Sequence, residues 1–314
     1  MKSCVIGGAG FIGAHLVQQL LAQGRQVLVM GRRLDRPVNL PKEAQYVSAS
    51  YGDESVLRNL FKDVDEVYDL AYATVPKSSF EDPIFDIVNN LPSSISLLKA
   101  AMDSNLKRLL IVSSGGVVYG PSSIIPITEE VATNPISPYG ITKLTIEKYA
   151  FMFHQMYGLP VTIVRPSNAY GEEQKPFTGQ GFIATAMGLM LKEEEIPLFG
   201  EQGTIRDYVH VSDVASGIIA AATLGKPGEI YNVSSGVGLS NIEVIKEIEK
   251  SSELYGKTVR LRILPKREFD VPVSILSHQK LTSHSGWTPK VSFETGIHSM
   301  WNYFANSANL KIKV

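Results

Sequence analysis

The chain has 314 residues, 44% hydrophobic and 19% charged, the profile of a globular protein with a full core. Its net charge of -1 is spread without blocks of one sign, so neither nucleic acid nor a membrane surface is an expected partner. No stretch reaches the roughly 18 apolar residues of a membrane span and no signal-peptide pattern opens the chain, which points to the cytoplasm.

Short apolar runs alternate with helical periodicity through the first half. Residues 3–6, 27–30, 66–70, 108–112 and 161–164 predict strands, apolar throughout as buried parallel strands are. The stretches 11–23, 93–104 and 139–157 predict the helices between them. That alternation predicts an α/β fold, a Rossmann-like doubly wound parallel sheet. After Arg165, prolines and glycines cut the pattern into loops and short elements, and a smaller α/β substrate domain is expected there. We expect a dinucleotide-binding domain over 1–170, with a return segment near 205–235, and a substrate domain over 171–314. The single cysteine, Cys4, lies in the first apolar run. It cannot form an internal disulfide, and its ordinary role is a buried strand residue.

Between the first strand and first helix, Gly7-Gly8-Ala9-Gly10-Phe11-Ile12-Gly13 spells Gly-x-x-Gly-x-x-Gly. Glycines permit a tight turn and a close backbone approach, and the helix N-terminus offers N–H groups to a pyrophosphate. In this strand–turn–helix setting, Gly7, Gly10, Phe11, Ile12 and Gly13 are expected to bind a dinucleotide. The second strand runs into Gly31, Arg32 and Arg33 where NAD-preferring sites carry an acidic residue. Two arginines can hold a 2′-phosphate, so NADP stands beside NAD as cofactor; they can equally be solvated surface residues.

Tyr139 and Lys143 are four apart, on one face of a helix. An ammonium beside a phenol favours the phenolate, which predicts Tyr139 as a base. Ser114 follows an apolar run at the strand edge where such sheets bind ligands. The histidines show no ligand spacing, so no metal is expected; His210 reads as structural, and His15 is expected against the sheet. The run 193–195, three glutamates, reads as a solvated turn.

The glycine loop, Ser114, Tyr119-Gly120, Tyr139 with Lys143, the run 165–171 (Arg-Pro-Ser-Asn-Ala-Tyr-Gly) and the run 206–213 (Arg-Asp-Tyr-Val-His-Val-Ser-Asp) occur in this order. Together they resemble the extended short-chain dehydrogenase/reductases of the NAD-dependent epimerase/dehydratase family, nearest to UDP-glucose/UDP-N-acetylglucosamine 4-epimerases. The resemblance implies an isomerase acting on a UDP-sugar with bound NAD. Tyr139 would take the proton of the sugar 4-hydroxyl, Lys143 would bind the nicotinamide ribose, and Ser114 would hydrogen-bond the 4-oxygen. It places Asn89 with the cofactor, Asn168 on the sugar nucleotide, Arg206 and Arg267 on its diphosphate, and Phe199 near the uracil. It also implies a homodimer built on the Tyr139 helix and its neighbour.

Four departures stand out against the family pattern. The segment from Ser114 to Tyr119 carries one residue more than usual, which predicts a wider loop beside the sugar. The acidic residue after strand two is missing, and Ser50 stands where an adenine-contacting aspartate is common. Ser274 replaces a bulky tyrosine, which predicts room for a 2-acetamido group. Gly115-Gly116 cannot supply the Asp-Glu pair of 4,6-dehydratases, nor the glutamate of nucleotide-sugar decarboxylases, and Cys4 is misplaced for a 3,5-epimerase. The alternatives are an NADP-dependent 4-keto-sugar reductase and, from another class, a non-catalytic NAD(P)-binding regulator.

Overall fold

The computed structural model describes residues 1–266 and 271–307. In chain order the first half gives β1 (Lys2–Ile6), α1 (Phe11–Ala22), β2 (Gln26–Gly31), β3 (Gln45–Ser48), α2 (Glu54–Phe61), β4 (Glu66–Asp69), α3 (Pro76–Glu81), α4 (Pro83–Met102), β5 (Arg108–Val112), α5 (Gly115–Val118), α6 (Pro138–Tyr157) and β6 (Val161–Pro166). There follow β7 (Asn168–Tyr170), α7 (Phe182–Leu191), β8 (Ile196–Phe199), β9 (Ile205–His210), α8 (Val211–Leu224), β10 (Ile230–Val233), β11 (Gly238–Ser240) and α9 (Asn241–Ser252). The last are β12 (Leu261–Leu264), β13 (Val273–Ser274), α10 (Gln279–Ser285) and α11 (Phe293–Ser307).

Seven strands form one sheet in the order β10-β6-β5-β4-β1-β2-β3, every pair parallel. The chain order reverses between β1 and β4, so the crevice at their C-terminal ends is where a doubly wound sheet receives a ligand. β1, β5 and β6 are buried along nearly all their length because helices cover both faces of the sheet. One face packs on α1 and α8, with Leu16, Leu20 and Ile218 fully buried. The other packs on α2, α4 and α6, with Leu57, Leu97 and Ala150 fully buried. Cys4 is fully buried in β1, and burial pushes its thiol up to about 12, which makes it unreactive.

Two helices show how local chemistry fixes the frame. α6 begins at Ser137, whose hydroxyl accepts from Gly140 N at 3.1 Å, continues through Pro138, and ends at Gly158 with φ 70°. α4 starts ten residues before the expected 93, because Asp82 caps Phe85 N at 2.8 Å and Pro83 occupies the first turn. Pro92 therefore lies inside a helix rather than before one.

Beyond β6 a smaller sheet runs β11-β9-β13, with β7 also on β9, and β12 pairs with β8. Its core closes around Trp301, Ile248 and Met187. β10 returns to the large sheet beside β6, within the return segment expected near 205–235. His15 does not face the sheet: its Nε2 lies 3.3 Å from the Glu172 carbonyl, beyond β7. His210 holds structure, with Nδ1 2.8 Å from Ser212 Oγ and Nε2 3.2 Å from Glu172 Oε2. Glu193, Glu194 and Glu195 are exposed. Among the described residues no helix is long and apolar enough to cross a membrane.

Candidate active site

A cleft of about 580 Å³ opens at the C-terminal ends of the sheet, lined from the glycine loop through Ser114, Tyr139 and Lys143 to Asn168 and Arg206. The floor is the turn from β1 into α1. Gly7 takes φ +79°, donates to the Met30 carbonyl at 3.0 Å and receives Gly10 N at 2.9 Å. A Cβ on Gly13 would lie 2.7 Å from Gly8 Cα, so only glycine lets α1 start this close to the turn. Gly10 caps α1 without any side-chain bond, leaving the first-turn N–H groups to point into the cleft. This cradle fits a dinucleotide pyrophosphate.

Gly31 ends β2 beside Tyr46, whose hydroxyl donates to the Arg33 carbonyl at 2.7 Å. Arg32 and Arg33 are both exposed, as is Ser50. Asn89 is a correction. It lies on the solvent side of α4, its amide donating to the Phe85 carbonyl at 2.9 Å. One residue turns a helix by about 100°, and it is Asn90 that faces inward. Asn90 is buried and accepts from Ala73 N at 2.7 Å, which holds the loop after β4.

Ser114 lies two residues beyond β5 in an extended conformation (φ -152°) and precedes α5 without using its hydroxyl as a cap. The segment that follows is compact rather than wide. A Cβ on Gly115 would meet the Arg165 and Pro166 carbonyls at 3.0 and 3.2 Å, and one on Gly116 would lie 3.1 Å from Asn168 Oδ1. Paired glycines let this turn press against β6 and β7, which removes the expected extra width.

Tyr139 and Lys143 stand one turn apart at the start of α6, both facing the cleft. Lys143 is buried, donates from Nζ to the Val112 carbonyl at 2.9 Å, and lies 5.9 Å from the Tyr139 ring centroid. Burial lowers its ammonium to about 8, against the fields of Asp69, Glu147 and Asp86, which favour the charge. Asp69, buried at the end of β4, is pushed up to about 6 by desolvation while Tyr51 donates to it at 2.6 Å. The expected lowering of the Tyr139 phenol is absent in the free protein. Burial raises it, and Asp86 adds to the rise.

On the far wall, Arg206 in β9 lines the cleft and bonds the Ile205 carbonyl at 2.9 Å, with Tyr208 two residues on. Ser274 is buried in β13, in register with Arg206, and Phe199 closes β8; neither lines the cleft. Arg267 lies outside the described residues. The cleft also takes Tyr72, Thr74, Gln174 and Phe182, which the motifs did not mark. Tyr72 and Thr74 follow β4 at the ligand-binding edge of the sheet, and that position was their one available signal.

Residues 3–234 match the family model for the NAD dependent epimerase/dehydratase family. The chain is 32% identical over 305 residues to a putative UDP-glucose 4-epimerase of Methanocaldococcus jannaschii, covering 96% of this chain and 98% of that protein. Among solved structures it resembles the UDP-glucose 4-epimerase of Thermotoga maritima with UDP-glucose, at TM-score 0.91 and 33% identity over 98% of this chain and 100% of that one. It also resembles the Thermus thermophilus UDP-glucose 4-epimerase complex with NAD, at TM-score 0.89 and 32% identity over 98% of this chain and 100% of that one. With its glycine cradle, its Tyr139–Lys143 turn and these full-length matches, the chain belongs to the NAD dependent epimerase/dehydratase family.

Proposed function

We propose that the protein is a nucleotide-sugar 4-epimerase working on a UDP-hexose or UDP-N-acetylhexosamine with NAD. The observation that carries this reading is one cleft holding the pyrophosphate cradle, Ser114, Tyr139 and Lys143 on one side and Asn168 and Arg206 on the other. The relatives named UDP-glucose 4-epimerase, one solved with UDP-glucose and one with NAD, support it.

Nicotinamide, when bound, would supply a hydride acceptor that returns the same hydride to the opposite face of the sugar C4. Everything else falls to the chain. Tyr139 moves the 4-hydroxyl proton, and the Ser114 hydroxyl donates to the 4-oxygen as charge builds there. Lys143 holds the ribose and favours the phenolate when its ammonium is delivered to that side. Arg206 takes a diphosphate oxygen and Arg267 is assigned the second, since guanidinium forks suit that anion. We assign Asn168, in the cleft wall, to the sugar; from the family resemblance alone, outside the cleft lining, Phe199 is assigned to the base and Ser274 to tolerance of a 2-acetamido group. Gly7, Gly10, Phe11, Ile12 and Gly13 hold the pyrophosphate, with Gly31, Arg32 and Arg33 toward the adenosine ribose. Cofactor holding belongs to residues 1–170 with the return near 205–235, and substrate holding to 171–314. α4 and α6 pack together and leave Ile84, Val88, Ile141 and Met156 in solvent, which supports a homodimer through these helices. A single buried, unbridged cysteine supports a cytoplasmic site of action.

The test is incubation with UDP-glucose and with UDP-N-acetylglucosamine, without reductant, followed by proton NMR of the anomeric signals. A galacto epimer establishes the reaction, and the two rates report the room near Ser274. No conversion, with NADPH consumed on a 4-keto sugar, assigns the reductase favoured by Arg32 and Arg33 instead.

A further inference from the structure

The Tyr139–Lys143 turn is backed by a polar group for which the proposed chemistry has no use. Tyr72 meets Tyr139 edge-on, centroids 4.8 Å apart and planes at 67°. The Lys143 ammonium sits 4.0 Å over the face of the Tyr72 ring, closer than it comes to Tyr139. Behind Tyr72, Asp86 of α4 is fully buried. Its Oδ1 accepts from the Thr74 hydroxyl and, at 3.5 Å, from Asn90 Nδ2. Asp86 Oδ2 and Tyr72 Oη are both buried, and the Tyr72 hydroxyl lies within reach of the Asp86 carboxyl and of Thr142, outside close hydrogen-bond geometry.

A carboxyl so buried is costly to ionise unless a cation lies near, and the Lys143 ammonium on the Tyr72 ring is one whose charge its field supports. The field of Asp86 favours the Lys143 ammonium, after those of Asp69 and Glu147, and it opposes ionisation of both Tyr139 and Tyr72. The other groups around the turn are accounted for. Asp69 is bonded by Tyr51 and Ala71 N, Glu147 is paired with Arg165, and Lys77 and Glu81 of α3 are solvent-exposed.

We propose that Asp86, working through the ring of Tyr72, is a positioning residue that seats the Lys143 ammonium beside Tyr139. The assignment rests on Tyr139 being the acid–base group of the proposed epimerase. Asp86 touches no reacting atom in this scheme. Its work is to set the pH interval over which the pair is in its working state.

The experiment compares the full chain with its Asp86→Asn variant, both carrying 13C at tyrosine Cζ. The Tyr139 resonance is assigned by its loss in Tyr139→Phe. Without any ligand, Tyr139 is expected to ionise at lower pH in Asp86→Asn, by about one unit. With NAD and UDP-glucose, both limbs of the kcat/KM profile move to lower pH by a similar amount, because Lys143 also loses a supporting field. Uniform loss of activity with the limbs and the Tyr139 resonance in place would overturn the proposal. Should Asp86→Asn fail to give a native circular-dichroism spectrum, Tyr72 decides. Tyr72→Phe keeps the ring and the alkaline limb, whereas Tyr72→Leu removes the seat and moves that limb down; identical behaviour of the two overturns the proposal. A wild-type chain that interconverts no UDP-sugar sinks the epimerase reading alone, since the ligand-free titration still reports on Asp86.

Discussion

Tyr139 keeps its proton in the free protein while Lys143 holds its own loosely, so ligand binding has to reverse the balance between two residues one helical turn apart. Tyr139→Phe removes the proton carrier without altering packing. Turnover of UDP-glucose should fall by about 10³-fold with the circular-dichroism spectrum unchanged, and near-normal turnover would defeat the chemistry. The pH dependence follows from Lys143. Its folded value of about 8 lies below the ordinary 10.5, so between those values the unfolded chain binds a proton that the folded chain has released. Stability from this group therefore rises with pH across that window. Catalysis runs the other way: kcat/KM should decline above about pH 8 as the ammonium is lost, and a kcat/KM still climbing from pH 8 to 10 would contradict it. The Tyr-Lys spacing was legible because helical register is local. The direction of the tyrosine shift was not, because it comes first from burial and then from Asp86, on another helix 53 positions away in the chain. Asn89 failed for a related reason: on α4 the choice between two adjacent asparagines depends on which face meets the loop after β4.

At the scale of elements, the β1–α1 turn was the most readable part of the chain, since its glycines serve contacts only six residues apart. Gly13→Ala places a Cβ against backbone that cannot move aside. We expect a loss of about 1–3 kcal/mol in denaturant unfolding, together with loss of co-purifying cofactor. A variant as stable as the parent would show that α1 can shift without disturbing the turn. α5 was misjudged. Counting residues from Ser114 to Tyr119 predicted width, but Gly115 and Gly116 spend that length in a single helical turn packed on β6 and β7. α4 was read late because Pro92 resembles a helix boundary, whereas the boundary chemistry is at Asp82 and Pro83.

For the whole molecule, the alternating first half pointed to the doubly wound sheet, and the return segment expected near 205–235 contains its last strand. The smaller sheet was not resolved by pattern, because its strands are as short as two to six residues and its packing is set by partners far along the chain. The apolar side chains of α4 and α6 carry the prediction at this scale. Val88→Glu combined with Met156→Glu, at positions 60% and 69% exposed, should yield a monomer by light scattering with its thermal transition retained. An unchanged mass would place the dimer contact elsewhere. The late return of β10 beside β6 bears on synthesis. While the ribosome is still adding the residues beyond 166, β6 presents an unpaired strand edge, and α1 lacks the cover of α8. The sheet is finished only after an excursion of some sixty residues through the smaller sheet, so the nascent chain passes through a stage that invites pairing with its neighbours and calls for chaperone shielding.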